Sequence, residues 1–287
     1  MQNVETTDNG GSKEQTMGKR IGLIAGEGEL PEEIFSSLSE AGFNTKLYSL
    51  REDNSFFSSE NNDIYQIKNI DIESIVLDMR SSGITRLMMA GLIPKSLVYA
   101  PEKLGSSTRK LLKGLSEMDD HSLLGGIVSI FEAAGLSVMR YIDLIPSLMA
   151  DEGVMTQNVP DKGQLEDLEY GLRIMKVLLP LSFGQSIVTH NRSVVAVEAM
   201  EGTDETIIRA GKISSGGILI KMMKPGQDER YDIPTVGNKT LENMKKAGLK
   251  CLAVEACRTI ILNRKDFIET ADGYGISVTG VKPCRSS

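Results

Sequence analysis

The sequence has few of the residues that build metal centres from nitrogen or sulfur ligands. Among its 287 residues there are two histidines and three cysteines. Cys251, Cys257 and Cys284 form no C-x-x-C pair, and their odd number favours a reduced, cytoplasmic setting with inert thiols over a disulfide framework. A catalytic metal would therefore have to be a hard ion with oxygen ligands, such as Mg²⁺ or Mn²⁺.

Basic charge and long apolar runs are also scarce. The formal net charge of -7 disfavours a nucleic-acid partner, because binding a phosphate backbone requires a basic face. No run reaches the roughly 18 apolar residues of a transmembrane helix. Residues 1–18 have almost no apolar content and no hydrophobic signal region, so we expect a disordered tail there.

Along the rest of the chain, short apolar runs alternate with segments of helical periodicity, which predicts an α/β protein. The length favours two domains. We expect a first domain over 19–145 and a second over 164–287. Between them, over 146–163, the periodicity fades and prolines and a glycine appear, which predicts a linker.

The first domain opens with an apolar strand over 20–25, a turn containing Gly26 and Gly28, and a helix that begins near Pro31. This order is typical of a nucleotide-binding βαβ unit, although Pro31 stands where G-x-G-x-x-G has its third glycine. A later turn over 91–95, which includes a lysine, would lie at the same edge of the sheet. A tight turn without a ligand remains the alternative for both.

The second domain contains a long polar loop over 221–240, which follows an apolar run and precedes a predicted helix. The loop interleaves cations and carboxylates, and two prolines stiffen it. Such a loop suits a phosphate bound with a divalent metal, and a solvated charged loop is the alternative. A second strand-to-helix junction ends in Asp204, which either caps the helix or serves a phosphate site.

Three segments together resemble one protein family. They are GLIAGEGELP over 22–31, AVEAMEGTDETI over 196–207 and KPGQDERYDIPTVG over 224–237. In the same order they are similar to segments of the two-domain UDP-2,3-diacylglucosamine pyrophosphatases of lipid A biosynthesis, the LpxI type. The resemblance covers residues 18–281, and its last two segments are the most specific.

The resemblance implies a Rossmann-like N-terminal domain and a distinct α/β C-terminal domain. It implies cleavage of the pyrophosphate of UDP-2,3-diacylglucosamine to UMP and 2,3-diacylglucosamine 1-phosphate, with Mg²⁺ or alternatively Mn²⁺. Water would attack the phosphorus on the glucosamine side. The resemblance further implies a homodimer that is cytoplasmic and contacts the inner membrane peripherally, where the lipid-linked UDP-sugar lies.

The resemblance also assigns residues to the site. The family's catalytic carboxylate falls on Asp232, which is expected to bind the metal or to accept a proton from water. Asp204 is the second expected metal ligand. The residues expected to contact the substrate are Gly26, Gly28, Thr203, Lys224, Gln227 and Thr235.

Two other functions stay open at this point. One is a nicotinamide-dependent oxidoreductase that uses the turn at Gly26, against which stands the missing third glycine. The other is a nucleotide-sugar sensor or carrier that binds its ligand without turnover.

Overall fold

The computed structural model describes residues 20–58, 63–92, 105, 108–109 and 120–282. The chain divides into two compact units between Ile145 and Pro146. Several positions singled out in the sequence lie outside the described residues: the tail over 1–18, Lys95 and Cys284.

The first unit combines a parallel sheet with helices. Its strands are β1 (Arg20–Ala25), β2 (Asn44–Ser49), β3 (Ile64–Gln66), β4 (Arg86–Ala90) and β5 (Ser137–Val138). Its described helices are α1 (Leu30–Glu40), α2 (Ile72–Ser81), α3 (Asp120–Ala133) and α4 (Tyr141–Leu144), together with a 3-10 turn, Ser55–Phe57. The strand order is β3-β2-β1-β4-β5, and every neighbouring pair is parallel.

Strand β1 lies at the centre of this sheet because its side chains are apolar on both faces. Ile21 and Leu23 are fully buried, as expected for a parallel strand covered on each side. The chain runs from β1 outward to β2 and β3, and then crosses to β4 on the other side. The carboxyl ends of β1 and β4 therefore flank the position where ligands enter doubly wound sheets.

The second unit has a mixed sheet, a small two-stranded sheet and its own helices. Its strands are β6 (Gly153–Val154), β7 (Ser186–His190), β8 (Ser193–Val197), β9 (Ile218–Lys221), β10 (Thr235–Val236), β11 (Cys251–Glu255), β12 (Ile260–Ile261) and β13 (Ser277–Val281). Its helices are α5 (Lys162–Leu178), α6 (Gly202–Ile213), α7 (Asn238–Ala247) and α8 (Arg264–Tyr274), with 3-10 turns Pro146–Leu148 and Leu179–Leu181. The large sheet has the order β6-β13-β11-β9-β7-β8, and β10 pairs with β12.

Alternating side chains of the central strands build a core on each face of this sheet. Leu219 and Leu252 pack in one core, which includes residues of α6, α7 and α8. Ile218 and Ile220 pack in the other core, against α5. This period of two along each strand is what places helices on both faces. The α/β class and the two-domain arrangement predicted from the sequence are confirmed.

The hairpin predicted around residues 186–197 is present as β7 and β8. Its turn residues Asn191 and Arg192 have φ angles of 51° and 55°. That is the left-handed geometry of the short turns that match the twist of paired strands. The Asp167 carboxylate on α5 accepts both turn amides, at 3.0 Å from Asn191 N and 2.5 Å from Arg192 N.

Residues 146–163, predicted as a linker, pack within the second unit. Strand β6 pairs antiparallel with β13, and Ala150 N donates to the carbonyl of Thr259 at 2.8 Å. Val278 N donates to Thr156 Oγ1 at 2.9 Å. The sequence pattern gave no sign of this packing because a strand of two residues has no measurable periodicity.

One close approach in this region predicts a stability effect. A Cβ on Gly280 of β13 would lie 1.7 Å from the carbonyl oxygen of Asp151, so Gly280→Ala is expected to lower the free energy of unfolding by about 1–3 kcal/mol. Gly273→Ala on α8 is the matched control, because its Cβ would meet open space. It should be neutral or stabilise by about 0.5–1 kcal/mol. Urea unfolding followed by circular dichroism would measure both, and equal effects would contradict the packing.

Candidate functional site

Several polar residues meet at one edge of the second sheet. Strands β8, β9 and β11 run in the same direction, and β7 runs opposite to them, so three carboxyl ends and the start of β7 share that edge. Backbone hydrogen bonds fix the arrangement. Glu198 N donates to Ser186 O and Met222 N donates to Gln185 O, each at 2.9 Å. Side chains that follow β8 and β9 are thereby brought beside each other.

The junction after β8 leads into the amino terminus of α6. The helix begins at Gly202, and Glu201 before it makes no side-chain capping bond, which leaves main-chain amides available at this end. Thr203 Oγ1 lies 3.3 Å from Ser186 Oγ. Asp204 lies inside the first turn of the helix and is not its cap, and its carboxylate pairs with Lys239 Nζ at 3.1 Å.

Lys221, the last residue of β9, is a buried cation at the same edge. The residue is 7% exposed, and its Nζ donates to the carbonyl of Thr235 at 3.0 Å. Burial lowers the pKa of the Lys221 ammonium, and electrostatic attraction to Glu198 and Asp204 opposes that shift. The lysine thus connects the junction after β8 with the loop that contains Asp232.

The loop between β9 and β10 is held largely by its own groups. Gln227 Oε1 accepts a hydrogen bond from Lys224 N at 2.6 Å. The Arg230 guanidinium makes two bonds to the Asp228 carboxylate, from Nε at 2.8 Å and from Nη2 at 2.5 Å. Asp232 N donates to the carbonyl of Asp228 at 2.9 Å. These contacts close a turn directly before Asp232.

Two further contacts attach this loop to the neighbouring strands. The buried carboxylate of Glu255, at the end of β11, accepts from Met223 N at 2.8 Å. Arg258 bridges Glu255 and Glu229, with its Nη2 2.7 Å from the Glu229 carboxylate. Burial raises the pKa of the Tyr231 hydroxyl, and the neighbouring Asp228 adds to the effect. The segment around Asp232 is therefore restrained from both sides.

The predicted site residues fall into two sets. Asp204, Thr203, Lys224, Gln227, Asp232 and Thr235 all lie in the second unit, in the junction after β8 or in the loop after β9. Gly26 and Gly28 lie in the first unit, after β1. Their roles in substrate binding remain predictions.

Gly26 has a structural reason to be glycine. An added Cβ would lie 2.3 Å from the carbonyl oxygen of Leu92, because the backbone at Glu27 and Leu92 forms an antiparallel bridge. Gly28 has a φ angle of 101°, and its carbonyl accepts from Arg51 Nη1 at 2.7 Å. The two turns expected at the carboxyl edge of the first sheet thus contact each other.

The donors for a metal ion are oxygens. Among the described residues, no group of three or more His, Cys, Asp or Glu side chains is arranged to hold a metal. A Mg²⁺ site commonly uses one or two carboxylates, several waters and phosphate oxygens of the substrate, so such a site needs no cluster of that kind. Asp204 and Asp232 have the right chemistry for it, as does the nearby Glu198.

Sequence reasoning did not assign Lys221 and Glu198 to the site. Lys221 is part of the loop in the sequence, but its burial shows only when β9 is placed between β7 and β11. The one available signal was a lysine at the end of the run Gly217-Ile218-Leu219-Ile220, in a strand otherwise buried. Glu198 offered a similar signal after Val194–Val197.

The fold and this edge define the class of protein: a two-unit α/β protein whose second unit presents carboxylates, lysines and a helix amino terminus together. Comparison with protein families narrows the class. Residues 20–148 match the LpxI N-terminal domain, and residues 151–279 match the LpxI C-terminal domain. The chain belongs to the LpxI family.

A curated relative has the same extent. The chain is 28% identical over 279 residues to "UDP-2,3-diacylglucosamine pyrophosphatase LpxI" of Caulobacter vibrioides. The alignment covers 92% of this chain and 98% of the relative. In the part of the chain that the structure describes, no helix is long and apolar enough to cross a membrane.

The buried position of Lys221 predicts a pH dependence of stability. Its pKa in the folded protein lies below the value of 10.5 for a solvated lysine, so the unfolded chain binds more protons in the interval between the two. The free energy of unfolding of the wild type, minus that of Lys221→Met, should therefore rise as the pH is raised toward 10.5. Urea unfolding at a series of alkaline pH values would measure it, and a flat difference would place the lysine in solvent.

Proposed function

We propose that this protein hydrolyses the pyrophosphate bond of UDP-2,3-diacylglucosamine and releases UMP and 2,3-diacylglucosamine 1-phosphate. The observation that carries the proposal is the match to the Caulobacter relative, which extends over 98% of that relative and over both of its domains. The carboxyl edge of the second sheet supports it independently, because its groups suit a substrate with two adjacent phosphates.

The phosphates would bind to positive groups at this edge. The amino terminus of α6 offers main-chain amides without a side-chain cap, which is a common setting for phosphate. Lys224 supplies a point charge, and Thr203 and Thr235 supply hydroxyl groups. Gln227 acts through the loop, since its side-chain oxygen is used by Lys224 N. The Gly26–Gly28 turn of the first unit is our proposed contact for the nucleotide.

Asp232 is the proposed catalytic carboxylate. A water oxygen forms a bond to phosphorus, the bridging oxygen–phosphorus bond breaks, and UMP departs with the bridging oxygen. Asp232 accepts the proton that the attacking water loses, or binds the metal. The turn closed by Asp228 and the attachment of Met223 to Glu255 hold the Asp232 segment in place for that step.

We further propose Mg²⁺ as the cofactor, with Mn²⁺ as the alternative. Asp204 and Asp232 would bind it, and when bound it would neutralise phosphate charge that otherwise repels the nucleophile. The two acyl chains of the substrate place the reaction at a membrane, so we propose a cytoplasmic protein with peripheral contact to the inner membrane. A homodimer is part of the same proposal.

The test is release of UMP from UDP-2,3-diacylglucosamine by the full chain, with Mg²⁺ and then with EDTA. Asp232→Ala should lower kcat/KM by roughly 10²–10⁴-fold, the usual effect of losing a positioned acid or base. Asp151→Ala is the control: this carboxylate is 71% exposed and pairs with Arg264, so activity should change by less than about twofold.

The remaining outcomes separate the other functions. Full activity in Asp232→Ala would move the catalytic carboxylate elsewhere, with Asp204 as the next candidate. Tight UDP-sugar binding without UMP release from folded wild type would favour a sensor. Binding of NAD would favour an oxidoreductase. Hydrolysis in isotopically labelled water should place the label in 2,3-diacylglucosamine 1-phosphate if the glucosamine-side phosphorus is attacked.

A further inference from the structure

Glu198 has a carboxylate that its surroundings leave incomplete. The residue is 7% exposed, and its Oε2 is buried without a hydrogen-bond partner. Burying a carboxylate is costly unless it is paired or fully hydrogen-bonded. A buried polar atom without a partner in a native fold calls for an explanation, and an ion absent from the coordinates is one of the usual ones.

The other acids of the same junction differ from Glu198. Glu201 pairs with Arg209 Nη2 at 2.6 Å, and Asp204 pairs with Lys239 Nζ at 3.1 Å. Both of these carboxylates are partly exposed, so solvent also stabilises them. Within the described part of the chain, Glu198 is the buried acid of this junction that has no such ion pair.

Lys221 attracts Glu198 but does not satisfy it. The ammonium interacts electrostatically with both Glu198 and Asp204, while it donates a hydrogen bond to the carbonyl of Thr235. The two carboxylates therefore lie near one buried cation, and Glu198 Oε2 is still unpaired. A second positive charge close to both acids would complete the arrangement.

The main chain at Glu198 is held rigidly. Its amide donates to Ser186 O at 2.9 Å, which extends the β7–β8 pairing by one residue. On the same strand edge, Gly184 lies so close that a Cβ there would be 2.0 Å from the carbonyl oxygen of Glu198. A carboxylate on such a fixed backbone is suited to binding an ion, because little side-chain or loop ordering is needed when the ion arrives.

We propose that Glu198 is a cation-binding residue and that, together with Asp204, it binds a hard divalent ion such as Mg²⁺ or Mn²⁺. Two carboxylates suit these ions, whose remaining ligands are waters and phosphate oxygens. The choice of ion rests on the proposed pyrophosphatase function, whereas the binding itself can be measured without substrate. Glu198 thereby joins Asp232 and Asp204 as an acid of this edge.

The direct test is binding of Mn²⁺ alone to the full chain, measured by the electron paramagnetic resonance signal of the free ion. Glu198→Gln should weaken Mn²⁺ binding at least about tenfold, in the range seen for the loss of a metal-site contact. Glu201→Gln is the matched control, a glutamate three residues away whose carboxylate pairs with Arg209, and it should bind like the wild type. Unchanged Mn²⁺ affinity in Glu198→Gln would overturn the proposal.

Thermal unfolding distinguishes ion binding from a purely structural role. Without metal, Glu198→Gln should melt at the same temperature as the wild type or higher, because it removes an unpaired buried charge, and it should lose the Mn²⁺-induced rise in Tm. A lower Tm without metal, together with a normal Mn²⁺-induced rise, would make Glu198 only a partner of Lys221. If Glu198→Gln does not fold, Glu198→Asp gives the same comparison with the charge kept and withdrawn by one methylene.

The two proposals fail separately. Mn²⁺ binding that depends on Glu198, in a protein that releases no UMP, would keep the cation site and remove the proposed function. UMP release that EDTA leaves unchanged, in a protein that binds no Mn²⁺, would keep the reaction and overturn the cation site.

Discussion

The arrangement of the second unit depends on one buried ammonium group. Lys221 ends a strand whose other side chains are apolar, so its charge enters the protein interior and must find polar partners there. It finds the carbonyl of Thr235 and the field of Glu198 and Asp204. Two segments far apart in sequence, the junction after β8 and the loop before α7, are thereby tied to the end of β9. The cost of an unpaired lysine would be large, and this sets where the loop can go.

The loop itself shows how an irregular segment becomes rigid without secondary structure. Side chains of Gln227 and Glu255 accept main-chain amides, and Asp228 accepts both a guanidinium and the amide of Asp232. Each bond replaces one that a helix or strand would have supplied. A carboxylate in such a segment is positioned before any ligand arrives. That pre-organisation matters for hydrolysis, because a displacement of one ångström in a reacting group can cost much of the rate.

The sequence predicted most of the fold and the general location of the site. Apolar runs gave β1 and β9, and the Asn191-Arg192 pair gave the hairpin. The pairing of β10 with β12 and the burial of Glu198 follow from tertiary contacts, which no local pattern contains. Gly26 shows a different limit. A close backbone neighbour and a bound phosphate both require the absence of a Cβ, so the glycine alone could not distinguish them, and the bridge between Glu27 and Leu92 accounts for it.

Strand β6 closes the outer edge of the second sheet, although it comes before the helix at which that domain seemed to begin. A fragment that started at residue 164 would lack it and would leave the β13 backbone from Thr279 to Gly280 open. Exposed strand edges pair with other chains, so this fragment would tend to aggregate or to swap strands. A fragment that started at Pro146 would retain the covering strand. The place where the chain is cut therefore decides whether the isolated domain stays in solution.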